Sequence, residues 1–164
     1  MTRVQLLQSV ICSTLILLMV SGCNGTSAVE PQPGATFSGP MEISSSGMGS
    51  NVTVDGGEIE FTVTEDGAAI ASITYNLINE VCTNDTKNTR REGGMSSSVR
   101  SNPPTPIKNG NFEFDSGDIN INGTFTSATE ASGTIKMSSE VESEVEQNYF
   151  TCDYGTWNWS AIVK

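Results

Sequence analysis

The chain contains no histidine. That absence removes Ser-His-Asp and Cys-His nucleophile pairs and every zinc site built on imidazole, leaving carboxylates as the side chains able to do acid–base work. Two carboxylates hydrolyse a glycoside only when held about 5–10 Å apart across the substrate, an arrangement that no spacing here imposes. A carboxylate-based glycoside hydrolase is therefore an alternative, while the expectation is a protein that is not an enzyme, with no catalytic residue and no cofactor. Basic residues are scarce, eight Lys and Arg against nineteen Asp and Glu. Phosphate backbones are repelled by such a balance, so nucleic acid is not an expected partner. The four cysteines include no Cys-x-x-Cys pair, which argues against a redox thiol. No stretch sustains a helical period, and no apolar run reaches the roughly 20 residues of a membrane-spanning helix.

What is present begins at the amino terminus. A single cation, Arg3, precedes an uncharged run from Val10 to Val20 that includes Leu15, Ile16, Leu17, Leu18 and Met19, followed by the small pair Ser21-Gly22. This is the pattern of a signal peptide over residues 1–22, not of a span. The next residue is Cys23, and Val20-Ser21-Gly22-Cys23 resembles the lipobox of bacterial lipoproteins. That resemblance implies cleavage after Gly22, a diacylglycerol thioether on Cys23 Sγ and acylation of the new amino terminus with a fatty chain such as palmitate. Each buried methylene contributes about 0.8 kcal/mol, and a stable anchor needs more than one chain. The implied location is extracytoplasmic, at a cell membrane or outer membrane, with the membrane itself as partner and an envelope protein or glycan as a further one. The alternative is a soluble secreted chain in which Cys23 pairs elsewhere.

Processing would leave residues 23–164, enough for one domain with a sizeable core. All nineteen acids and seven basic residues lie in that part, a net charge of −12. With Cys12 removed and Cys23 acylated, Cys82 and Cys152 remain in an oxidising compartment and are expected to pair. Asn24 to Thr36 has no apolar periodicity and carries Pro31 and Pro33, so residues 23–36 read as the lipidated cysteine and a flexible tether.

From Phe37 onward, over 37–164, apolar residues recur at every second position. Phe37, Met41 and Ile43 share parity; Ile59, Phe61 and Val63 alternate with acids and threonines; Ile73, Tyr75 and Leu77 follow a Glu65-Asp66-Gly67 turn. The alternation lapses after Cys82, where Lys87, Arg90, Arg91, Arg100 and Lys108 suggest a long basic loop over 83–108. It resumes with Ile107, an Asn109-Gly110 turn, Phe112 and Phe114, then Ile119, Ile121 and Phe125, and then Ala131, Ile135 and Met137. Val141 and Val145 alternate with Glu140, Glu142, Glu144 and Glu146. Trp157, Trp159, Ala161 and Val163 close the chain on one parity. The fold class is all-β, an antiparallel β-sandwich of about eight or nine strands stapled by one disulfide, or alternatively a meander β-barrel.

Two sets of residues invite a ligand. Asp118, Asn120 and Asn122 match the first half of a calcium loop, but the twelfth position is Thr129 and not glutamate, and Ile119 and Ile121 continue a strand. Trp157 and Trp159 could stack on sugar rings or, by their shared parity with Ala161 and Val163, belong to the core. The segments Pro106–Phe112, Ile121–Ser127, Ala131–Thr134 and Cys152–Trp159 together resemble a recurrent small exported β-domain of bacterial surface proteins without an assigned activity. This second resemblance implies fold and location and no catalytic residue. Mass spectrometry of the membrane-extracted protein should find its first residue to be an acylated Cys23; an unmodified Cys23 thiol contradicts the lipobox.

Overall fold

A computed structural model describes residues 28–44, 47–49, 51–84, 89–99, 102–142 and 149–164, with side chains described outside 84–96, 99 and 141–150. The lipobox, including Cys23, lies outside the described residues. Ten strands carry the fold: β1 (Thr36–Ile43), β2 (Val52–Thr53), β3 (Gly56–Val63), β4 (Ala69–Asn84), β5 (Thr89–Val99), β6 (Thr105–Pro106), β7 (Asn111–Asp115), β8 (Ile119–Ser127), β9 (Glu130–Glu142) and β10 (Tyr149–Val163). Apart from the Val141–Val145 run, part of which lies outside the described residues, the runs of alternating apolar residues noted above form strands, because alternation gives a pleated ribbon one dry face and one wet face. Among the described residues there is no helix.

All pairings are antiparallel and join the strands in one sheet of order β2-β4-β3-β1-β10-β9-β8-β7, with β5 and β6 hydrogen-bonded to the side of β4 opposite β3. Strands consecutive in the chain are neighbours along β3-β4-β5 and β7-β8-β9-β10, and the first strand pairs with the last, Phe37 opposite Val163 and Met41 opposite Trp159. The all-β, antiparallel, disulfide-bearing class is as expected; the connectivity is a meander within a single sheet, not two separately bonded layers.

That sheet is rolled. Phe61 on β3 and Phe112 on β7 are five strand-to-strand steps apart along the sheet, about 24 Å if it were flat. Their ring centroids are 5.4 Å apart. Phe37, Phe125 and Trp159 complete the cluster, with Phe37 stacked on Phe61 at 5.0 Å and Trp159 edge-on to Phe61 at 5.6 Å. Around them Met41, Ile59, Ile70, Ile73, Leu77, Ile121, Ile135 and Met137 are buried. The sheet is open between β5 and β7, and at one end the chain crosses this seam. There Ile107 N–H donates to Ala68 O at 2.8 Å, and Lys108 and Asn111 exchange backbone hydrogen bonds at 2.7 and 3.0 Å. Asn109 and Gly110, at φ 52° and 74°, form the two-residue turn that this exchange requires. At the β3–β4 turn, Gly67 has φ 74° and Asp66 accepts from the Thr64 hydroxyl and the Ala68 N–H, bonds that hold its carboxyl below the ordinary value.

Three expectations need correction. The segment after Cys82 is not a loop: β4 continues to Asn84 and turns back as β5, with Leu77 opposite Met95 and Thr83 opposite Arg90. A Ser- and Gly-rich strand pairs through its backbone and shows no alternation, which is why its sequence looks irregular. The tether is docked from residue 28 to Ala35, since Gln32 N–H donates to Ala128 O at 2.9 Å and Gly34 N–H to Thr64 O at 3.0 Å, with Pro31 and Ala35 buried. Ile43 shares the core parity but sits at a strand end, 43% exposed. Glu140 is exposed on β9 as expected, while Glu144, Val145 and Glu146 lie outside the described residues.

Cys82 and Cys152 form the expected disulfide, with an S–S distance of 2.07 Å and Cα atoms 6.0 Å apart. It ties β4 to β10, which are separated in the sheet by β3 and β1. Reduction should therefore lower the unfolding free energy by about 2–5 kcal/mol, read from urea denaturation with and without reductant; an unchanged midpoint contradicts a structural role.

Candidate functional site

Two bulges decide what faces the interior near the disulfide. On β4 the register slips between Leu77 and Glu80, where Asn79 adopts φ 51° and its Nδ2 donates to Asp55 Oδ2 at 2.8 Å. The extra residue flips parity, so the inward set changes from Ile73, Tyr75 and Leu77 to Glu80 and Cys82. On β10 a matching slip lies between Asp153 and Gly155, whose N–H donates to Asp153 Oδ1 at 2.9 Å. Gly155 has φ 67°, and a Cβ there would lie 2.3 Å from Gly47 O, so only glycine fits. This slip joins Cys152 and Tyr154 to the inward face that continues as Trp157, Trp159 and Ala161.

The result is a polar group inside the roll. Tyr154 OH donates to Glu80 Oε1, and Ser139 Oγ is 3.3 Å from the same phenol oxygen. Glu80 is 1% exposed and Tyr154 0%. A buried carboxylate is costly unless hydrogen-bonded, and here the phenol supplies the donor. With Glu80 and Tyr154 both buried, the cluster is suited to holding the two bulges together. Sequence reasoning missed Glu80, because a parity flip is invisible in an alternation count; the one local signal was Asn79, a residue type that tolerates positive φ. Tyr75, also inside, has its phenol pushed above the ordinary value by burial, with a hydrogen bond from Ser97 acting the other way. Its raised value means that stability is complete below about pH 10 and is lost as pH rises through the folded pKa.

The residues singled out from sequence are placed differently. Trp157 and Trp159 are 2% and 3% exposed. They are core residues, Trp157 Nε1 donating to Tyr154 O at 2.8 Å, and so present no surface platform for sugars. Asp118 lies exposed in the β7–β8 turn, whereas Asn120 and Asn122 stand on the outer face of β8, with Asn122 Nδ2 donating to Asn120 Oδ1 at 2.6 Å. An Asn–Asn bond of this kind uses the oxygen that a calcium ligand would offer, and strand geometry spreads the three side chains instead of wrapping them around an ion. Among the described residues no group of three or more acids or cysteines is placed to hold a metal.

A concavity lies elsewhere, an outward groove of about 780 Å³ over β7, β8 and the start of β9. Its walls carry Asn111, Glu113, Asp115, Asn122, Thr124 and Thr134, with Lys108 at one end. Gly123 and Gly133 form part of its lining. Asn120 Nδ2 lies 3.5 Å from Glu113 Oε1 and 3.4 Å from Asp115 Oδ2, so one amide holds both carboxylates. The chain matches no known family model and no curated protein.

Loss of the Tyr154 hydroxyl should leave Glu80 buried without its donor. Tyr154→Phe is expected to cost about 1–3 kcal/mol in urea unfolding, and Tyr154→Phe with Glu80→Leu to recover part of that loss. A Tyr154→Phe variant as stable as the parent contradicts the assignment.

Proposed function

We propose that this protein is a lipid-anchored, extracytoplasmic β-domain that binds an envelope component and catalyses no reaction. The anchor rests on Val20-Ser21-Gly22-Cys23 and the preceding apolar run. The binding role rests chiefly on where open space lies. The interior of the roll is occupied by Phe37, Phe61, Phe112, Phe125, Trp157 and Trp159, each under 5% exposed. Recognition is then left to the outer surface, where the groove over β7–β9 offers paired hydrogen-bonding groups. The hydrolase alternative draws on Glu113 and Asp115, which share that groove. They stand side by side on one strand and are both exposed, whereas acid and base or nucleophile must flank the scissile bond.

A Cys23→Ser variant separates the two parts of the proposal. It should leave the membrane fraction for the soluble one, yet still be retained on immobilised envelope polysaccharide without releasing reducing ends. Persistence in the membrane fraction contradicts the anchor, absence of retention contradicts binding, and release of reducing ends favours the hydrolase.

A further inference from the structure

Within that binding reading, on which this inference rests, we propose that the groove over β7–β9 is a subsite for a neutral, hydroxyl-rich glycan chain, with Asn111, Glu113, Asn122 and Thr124 as its recognition residues. The volume, about 780 Å³, falls in the roughly 300–1,000 Å³ range of small-molecule sites. The chemistry of the walls narrows the class. A sugar hydroxyl both donates and accepts, so its complement is a surface mixing planar amides, which do both, with carboxylates, which accept. The groove has that mixture, and its lining also includes the exposed Pro106 and the largely buried Phe112 as apolar members.

The polar groups are also held in place before any ligand arrives. Thr124 Oγ1 donates to Asn111 Oδ1 at 2.7 Å, and Asn111 Nδ2 donates to Asn109 O at 2.8 Å. Asn122 is fixed through Asn120, which in turn touches Glu113 and Asp115. Each wall amide has one N–H committed to the protein and keeps a second N–H and carbonyl lone-pair capacity for a ligand. Groups already ordered lose little entropy on binding. Charge then excludes the competing class. Glu113 and Asp115 outweigh Lys108 in the groove, and the whole chain is acidic, so sulfated or phosphorylated polymers are repelled while neutral ones are not.

The groove has a built-in reporter. Gly133 lines it, and a Cβ on Gly133 would lie 2.6 Å from the Trp159 ring and 1.9 Å from Asn122 O. The Gly133 backbone therefore separates the groove from the indole, whose buried Nε1 has no hydrogen-bond partner among the described residues. Filling the groove should alter the field and packing around Trp159, one of just two tryptophans in the chain.

The test is a titration of full-length protein, in a sugar-free detergent, with cellotetraose and with the N-acetylglucosamine tetramer, a heparin-derived tetrasaccharide serving as the anionic probe. A saturable change in tryptophan emission is expected with a neutral tetrasaccharide and none with the heparin fragment. Asn122→Ala and Glu113→Ala, both at exposed positions, should each weaken binding about tenfold without changing Tm. Trp159→Phe should lose the emission change while calorimetry still detects binding. The inference is overturned if neutral tetrasaccharides give neither emission change nor heat, if the heparin fragment binds in their place, or if the two wall variants bind with parental Kd. Should the parent and both wall variants be retained equally on envelope polysaccharide, the groove is the wrong site and the binding reading stands; should none be retained, that reading fails as well.

Discussion

Phe61 on β3 touches Phe112 on β7 although five strand-to-strand steps separate them along the sheet, and that contact exists only if the sheet is rolled. Much else follows from it. A rolled sheet has one inside, so between bulges a single parity of each strand is dry, and the two edges of the sheet are brought near each other, where Ile107 N–H bonds to Ala68 O. Rolling also leaves little room where strands bend most, and Gly123 and Gly133 lie where the Phe112 and Trp159 rings pack directly against backbone. Substituting either glycine would push on the same aromatic cluster that keeps the roll closed.

The filled interior shapes what the molecule can do. Of the polar groups inside, Tyr154 is bonded to Glu80 beside the disulfide, both out of reach of solvent, with the half-buried Ser139 hydroxyl next to the phenol. Those outside are arranged in rows by strand pairing: Asn111 opposite Thr124, Glu113 opposite Asn122, Asp115 opposite Asn120. Cross-strand pairing thus produces both the stable core and an ordered polar face, since adjacent residues on one strand point to opposite sides.

Much of this order was legible in the alternation of Ile59-Phe61-Val63, Ile73-Tyr75-Leu77 and Ile121-Phe125, and in the Asp66-Gly67 and Asn109-Gly110 turns, because period and turn chemistry are local properties. The Cys82–Cys152 bridge was legible once the lipobox resemblance set Cys12 and Cys23 aside, leaving two cysteines to pair. What stayed hidden were non-local features. The bulges at Asn79 and Tyr154 reverse parity mid-strand, the pairing of β5 with β4 depends on backbone and not on side-chain pattern, and the docking of 28–35 needs partners at Thr64 and Ala128. For the site, the Trp157 and Trp159 platform was a plausible pattern whose burial only the roll decides. Asn122 was singled out for calcium, but its surroundings on β8 are a row of amides and hydroxyls.

The central claim is that recognition takes place on the outer face of β7–β9 and not inside the roll. Amide chemical-shift mapping by solution NMR during titration with a neutral tetrasaccharide tests it most directly. The account predicts shifts confined to residues 111–115, 120–124 and 133–134. Shifts centred on Glu80, Tyr154 and the disulfide, or on the opposite face of the sheet, would contradict it.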